Sequence, residues 1–299
     1  MSPNPAYALH EIFIAPARKK PALWRLLAGL TLAVVGYVAL NQMFFQLVYG
    51  LAGDGAYALY NELSDGTTPR AMLLLLFSFG FMAMAVGISV RLLHSRSMMT
   101  LLGPLKLALN DFRAVSLAMI ALGVLLVVLP PWDMGGTLSD NVPFGQWMVL
   151  LPFSLLGVLV QVSAEELVFR GYIQQQLAAR FRSPVVWMVL PSLLFAAGHY
   201  LPESAGENAM FIALWAGIFG MLMADLTARS GSLGPAIAVH LWNNVTAILI
   251  VSLPDDLSGL SLYHSPFGMA DAEAVRAWLP VDFALMFVSW LAARVAIRR

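Results

Sequence analysis

Apolar residues fill eight long runs of the chain, at about 26–48, 71–93, 114–130, 147–180, 184–201, 209–228, 235–252 and 280–297. Runs of about 18 or more apolar residues are long enough to cross a bilayer as helices. The pattern therefore predicts an all-α, polytopic integral membrane protein with about eight transmembrane helices. The fourth run stands apart. Its apolar part ends near Ala164, but helical spacing continues through Glu165, Glu166 and Tyr172 to Arg180, which predicts one long helix overshooting the bilayer. The segment 253–279 holds Pro254, Gly259, Pro266 and Gly268 and is expected to be an irregular loop.

The polar stretches between the runs give an orientation. Basic residues gather in alternate loops: Arg18, Lys19, Lys20 and Arg25, then Arg91, Arg96, Lys106 and Arg113, then Arg180 and Arg182, then Arg229, and finally Arg294, Arg298 and Arg299. The other loops carry only Arg70 and Arg276 as bases and hold acids such as Asp54, Glu62, Asp65, Asp133, Glu203, Asp255 and Asp256. By the positive-inside rule both termini are cytoplasmic, and a bacterial inner membrane is the expected location. Trp24 and Tyr49 bracket the first span, and Trp132 and Trp147 bracket an outer loop, as interfacial aromatics do.

Composition agrees. The chain is 60% hydrophobic and 11% charged, against roughly a quarter charged in a soluble domain. Its 17 basic and 17 acidic residues cancel, leaving no global field to attract nucleic acid. No cysteine is present, which excludes disulfides, thiolate metal sites and cysteine nucleophiles. The expected organisation is a cytoplasmic tail at 1–25 and a single transmembrane domain at 26–299, with its core at 147–252.

Against this background the adjacent acids Glu165 and Glu166 stand out, because an ionisable group in apolar surroundings is costly unless paired or wetted. Glu166 and Arg170 are four apart with the acid first, the favourable order for an intrahelical ion pair. That pairing leaves Glu165, about 100° around the helix, for chemistry. Of the five histidines, His10, His94 and His264 fall in the tail or in loops, where a solvated, inert role is expected. His199 and His240 lie inside apolar runs. Pro184 breaks the helix after Arg182, so helices four and five form an antiparallel hairpin. Glu165 precedes Arg182 by 17 residues and His199 follows it by 17, so both stand roughly 25 Å from the turn. His240 and Asn244 share a helix face, but His240 starts only about 8 Å beyond Pro235. Helix seven must therefore begin deep if it is to meet Glu165.

The motifs Glu-Glu-x-x-x-Arg at 165–170, Phe-x-x-x-His at 195–199 and His-x-x-x-Asn at 240–244, in this order on apolar helices, resemble the CPBP family. This is the CAAX-prenyl-protease and bacteriocin-processing (Abi-type) group of intramembrane endopeptidases. Gly234 departs from the bulky residue expected there. The resemblance implies hydrolysis of a peptide bond in a membrane-associated protein or peptide at the lipid bilayer. Glu165 would act as general base with His199 orienting the water. His240 and Asn244 would stabilise the oxyanion, each donor contributing about 3–4 kcal/mol, while Glu166 and Arg170 hold the helix. No cofactor is favoured. Zinc stays open as a rival, with Glu165, His199 and His240 as a two-histidine, one-carboxylate metal set. Two other functions compete. One is a non-catalytic membrane scaffold or bacteriocin-immunity factor that keeps the polar cluster as a helix lock. The other is a transporter with Glu165 as proton carrier, against which stands the lack of inverted repeats.

Overall fold

The computed structural model describes residues 5–129, 136–254, 257–269 and 271–299. Trp132, Asp133, Asp255 and Asp256 lie outside them. Apolar runs bounded by proline, glycine and short polar caps fold into α1 (Leu23–Asp65), α2 (Pro69–His94), α3 (Leu105–Val128), α4 (Phe144–Arg180), α5 (Val185–Gly198), α6 (Pro202–Ser230), α7 (Gly234–Ile250) and α8 (Ala272–Ile297). The starts follow local chemistry. Thr68 Oγ1 accepts from Ala71 N at 3.3 Å with Pro69 in the first turn of α2, and Asp271 Oδ1 accepts from Ala274 N at 3.1 Å at the head of α8. Gly231 adopts a left-handed φ of 74° and ends α6.

Six of these helices, α1 to α4, α6 and α8, are long and apolar enough to cross a membrane, which is consistent with a polytopic membrane protein. The sequence pattern predicts about eight such helices. α5 and α7 fall short because Pro184 delays the first and the turn at Gly231–Gly234 delays the second. The apolar window of α6 is 56% buried, against 17% for α1, α3 and α8, so α6 runs through the interior while the others turn apolar faces outward.

The segments pack in pairs: α1 on α2, α3 on α7, α5 on α6, and α4 against both α2 and α7. Two large apolar cores result, with a smaller one around Leu59, Leu63 and Ala71, and α7 serves both large ones. Ile237, Leu241 and Val245 join the core of α2 and α4, whereas Ala236 and Val239 join the core of α3, α6 and α8. α7 approaches α3 closely at Gly234, where a Cβ would stand 2.1 Å from the Ala108 carbonyl oxygen. This contact explains the glycine that departs from the family pattern.

Two expectations are corrected, and the tail before α1 is ordered. It forms a short helix, His10–Ile14, that packs Phe13 and Ile14 into the first core. His10 is buried and its ring lies 4.5 Å from that of Trp187. His94 is buried too, with Nε2 2.9 Å from the Tyr172 hydroxyl and Nδ1 2.8 Å from Gln176 Nε2. Neither histidine is solvated. Finally, the loop after α7 is partly ordered into strands. β1 (Ser139–Asp140) pairs antiparallel with β3 (Tyr263–His264), and β3 pairs parallel with β2 (Val251–Ser252). Backbone bonds from Leu257 N to Asp65 O and from Gly259 N to Gly66 O tie this loop to the turn between α1 and α2.

Candidate active site

Glu165 and Glu166 close the regular part of α4, which is α-helical from Phe144 to Glu166 and π-helical from Leu167 to Gln174. Wide turns of this kind are rare and concentrate at functional positions. Beyond the glutamates α4 is enclosed by protein, with every residue from Arg170 to Ala178 buried. Three successive glutamines anchor this stretch in different directions. Gln174 Nε2 donates to Ala224 O at 3.1 Å, Gln175 Nε2 to Phe13 O at 2.7 Å, and Gln176 pairs with His94. This overshoot lets α7 reach the glutamates although it starts only two turns before His240.

Glu166 is fully buried and accepts two bonds on Oε1, from Arg170 Nη1 at 2.9 Å and from His240 Nδ1 at 2.8 Å. The Arg170 guanidinium also lies 4.8 Å from the centre of the Phe195 ring. A paired carboxylate only accepts, so Nδ1 of His240 carries the hydrogen and Nε2 is turned towards Glu165, 3.6 Å from Oε2. His240 thus stands between the two acids, bonded to Glu166 and beyond hydrogen-bond range of Glu165. The rings of Phe219 and Phe195 stand edge-on to it, at 5.1 and 6.1 Å.

Glu165 is held differently. Its Oε1 accepts from Gln161 Nε2 at 2.7 Å, Gln161 Oε1 accepts from Asn244 Nδ2 at 3.0 Å, and Asn244 Oδ1 accepts from Asn243 Nδ2 at 3.2 Å. Glu165 Oε2 is buried without a hydrogen-bond partner from the protein, as are Glu166 Oε2 and Arg170 Nη2. Buried polar atoms are rarely left so.

His199 ends α5. Its Nδ1 bonds Phe195 O at 2.9 Å, leaving Nε2 outside that bond, and its ring lies 4.3 Å from that of Phe195. The hairpin register is as expected, since Phe195 packs on Phe169 at 5.1 Å near the turn of Arg170. Glu165, Glu166, Arg170, His240 and Asn244 are therefore joined by direct or one-residue links, while His199 reaches them through Phe195. Both histidines donate Nδ1–H to a fixed acceptor, an orientation that suits Nε2 for metal ligation as well as for base chemistry. Metal ligation also needs the donors to converge, and they do not. Among the described residues no three His, Asp or Glu side chains are gathered so as to hold a metal ion. The Glu165, His199 and His240 metal set thus finds no support in the arrangement of its donors.

Gln161 is the residue that sequence reasoning passed over. Its signal was its place one turn before Glu165 on the same face of an apolar helix.

Residues 146–246 match the family described as type II CAAX prenyl endopeptidase, Rce1-like. The chain is also 23% identical over 259 residues to "Uncharacterized protein YyaK" of Bacillus subtilis (strain 168), covering 83% of this chain and 84% of that protein. No solved structure matches. The three motifs on α4, α5 and α7 all fall inside the matched segment, so the chain carries, at residues 146–246, a domain of the Rce1-like type II CAAX prenyl endopeptidase (CPBP) family.

Proposed function

We propose that this chain is an intramembrane endopeptidase that hydrolyses a peptide bond of a membrane-associated protein or peptide with water activated by Glu165. The single observation that carries this is the asymmetry of the two acids. Each acid keeps one buried oxygen with no protein partner, but Glu166 Oε1 is tied to the cationic Arg170 and to His240, whereas Glu165 is bonded through Oε1 only to the neutral Gln161 and its Oε2 lies 3.6 Å from His240 Nε2. One water can touch both atoms at that separation. Glu165 takes a proton from this water, the water oxygen adds to the peptide carbonyl carbon, and the same proton passes to the leaving amine as the C–N bond breaks. The remaining amide hydrogen of Asn244, and Nε2–H of His240 in its imidazolium form, would donate to the developing oxyanion. His199 Nε2, unprotonated in the neutral ring, is suited to orient the water. The basic end of the bundle, where α1 begins and α8 ends, would face the cytoplasm of a bacterial cell. The description of the matching family, type II CAAX prenyl endopeptidase, supports a protein or peptide as the substrate.

The test compares protein termini in membranes of cells expressing the wild-type chain or Glu165→Gln at equal abundance. New termini are expected with the wild-type chain and at least 100-fold fewer with the variant. Identical sets of termini would overturn the reading and favour a non-catalytic scaffold or immunity factor.

A further inference from the structure

Glu165 owes its orientation to a chain of carboxamides that crosses from α7 to α4, and that chain passes through one residue. We propose that Gln161 is a positioning residue: its carboxamide joins Asn244 to Glu165 Oε1 and fixes the rotamer that presents Oε2 to His240. This rests on Glu165 being the chemical carboxylate.

The direction of the chain is set by its end. An ionised carboxylate can only accept, so Gln161 must offer its NH2 group to Glu165 at 2.7 Å. Its oxygen then faces Asn244, which must offer its own NH2 group at 3.0 Å, and the Asn244 oxygen is left to accept from Asn243 at 3.2 Å. No other assignment satisfies every member. One hydrogen of Asn244 is thereby committed to Gln161 and one remains for substrate. Side-chain freedom makes the link necessary. Glu165 has three rotatable bonds, its Oε2 has no protein partner, and His240 stands beyond hydrogen-bond range at 3.6 Å. Only the Gln161 bond holds the carboxylate among the hydrogen bonds of the described residues. A bond to a charged acceptor is among the stronger kinds, and it runs along one helical turn, where the backbone fixes both ends.

A helix tie without influence on Glu165 is the competing account, and a readout on the Glu165 carboxylate separates the two. Full-length protein in detergent, labelled with 13C-carboxyl glutamate, is examined by infrared spectroscopy, with the Glu165 band assigned by its loss in Glu165→Gln. Gln161→Met, which keeps length and removes both donors, is expected to shift that band. Asn244→Ala is expected to shift it when Gln161 is present and to leave it unmoved in the Gln161→Met background. A Glu165 band that ignores Gln161→Met, or that responds to Asn244→Ala equally in both backgrounds, would overturn the proposal. These spectra require no substrate, so they stand apart from the test of proteolysis. With a cleaved peptide in hand, Gln161→Met should lower kcat about 10- to 100-fold with KM unchanged, and an unchanged kcat would overturn it equally.

Discussion

Removing Arg170 tests whether the ion pair beneath the site is structural. Its guanidinium is 1% exposed and its Nη1 lies 2.9 Å from Oε1 of a Glu166 that is 0% exposed. Arg170→Met fills most of the same volume but leaves Glu166 with His240 alone. Breaking a buried pair on one side costs about 3–5 kcal/mol, and the lost stacking on Phe195 adds about 1 kcal/mol. Arg170→Met should therefore be among the most damaging single changes in the chain. The double variant Glu166→Met/Arg170→Met takes both charges out together. What it leaves is His240 Nδ1 without its acceptor, a loss of about 1–3 kcal/mol. The double variant should thus be more stable than Arg170→Met, a strong departure from additivity. Denaturation of the detergent-solubilised protein, followed by the fraction that stays monodisperse, measures Arg170→Met, Glu166→Met and the double variant. If Arg170→Met lies within about 1 kcal/mol of wild type, or if the double variant loses the sum of the two single losses, the pair is not the lock inferred here.

Two further outcomes follow from packing outside the ion pair. Gly234→Ala places a methyl group 2.1 Å from the Ala108 carbonyl oxygen, on backbone that cannot rotate away; a loss of about 1–3 kcal/mol is expected, with reduced proteolysis because α7 carries His240. His10 is held down to about 4, from 6.5, by burial first and by Arg18 second. Its neutral form thus contributes stability that is present above about 6.5 and is lost as pH falls towards 4, up to about 3 kcal/mol. Limited proteolysis of the N-terminal segment across that window should show the release, and His10→Phe should flatten it.

The helical architecture and the charged motifs were legible from sequence because each has a local cause. Apolar length marks α1 to α4, α6 and α8, and acid-first spacing marks Glu166 with Arg170. The turn at Pro184 places Phe195 on Phe169, near the depth counted from Arg182. What escaped depends on contacts far apart in the chain. His10 and His94 look like loop residues until Trp187, Tyr172 and Gln176 close around them. The strand pairing of 139–140 with 263–264 joins segments too short to show a period of two. Gln161 reads as one polar residue in an apolar run, and its meaning comes from Asn244, 83 positions later. The equal depth of Glu165 and His199 did not predict a contact, because depth fixes one coordinate and the side chain of His199 turns back to its own helix at Phe195.

The same burial pattern bears on how a substrate would approach under the proposed function. Below the glutamates, towards the basic end, α4 is sealed from Arg170 to Ala178 by the N-terminal segment, by the loop after α2 and by the turn before α7. Glu166 is closed off completely, but the Glu165 side chain keeps 11% of its surface. Its polar neighbours on that side, Gln161, Asn243 and Asn244, are half-buried, and so is His199. Open and closed faces are thus divided at a single peptide unit, between Glu165 and Glu166. A peptide would have to enter from the side of α4 that bears Gln161, where α7 offers Asn243 and Asn244. Under that function Glu166 would lie behind Glu165, out of the substrate's reach. Such a division would give two adjacent acids, otherwise a costly repetition, separate tasks under the proposed function: one carboxylate holds the histidine and the arginine in place, and the other would face the substrate.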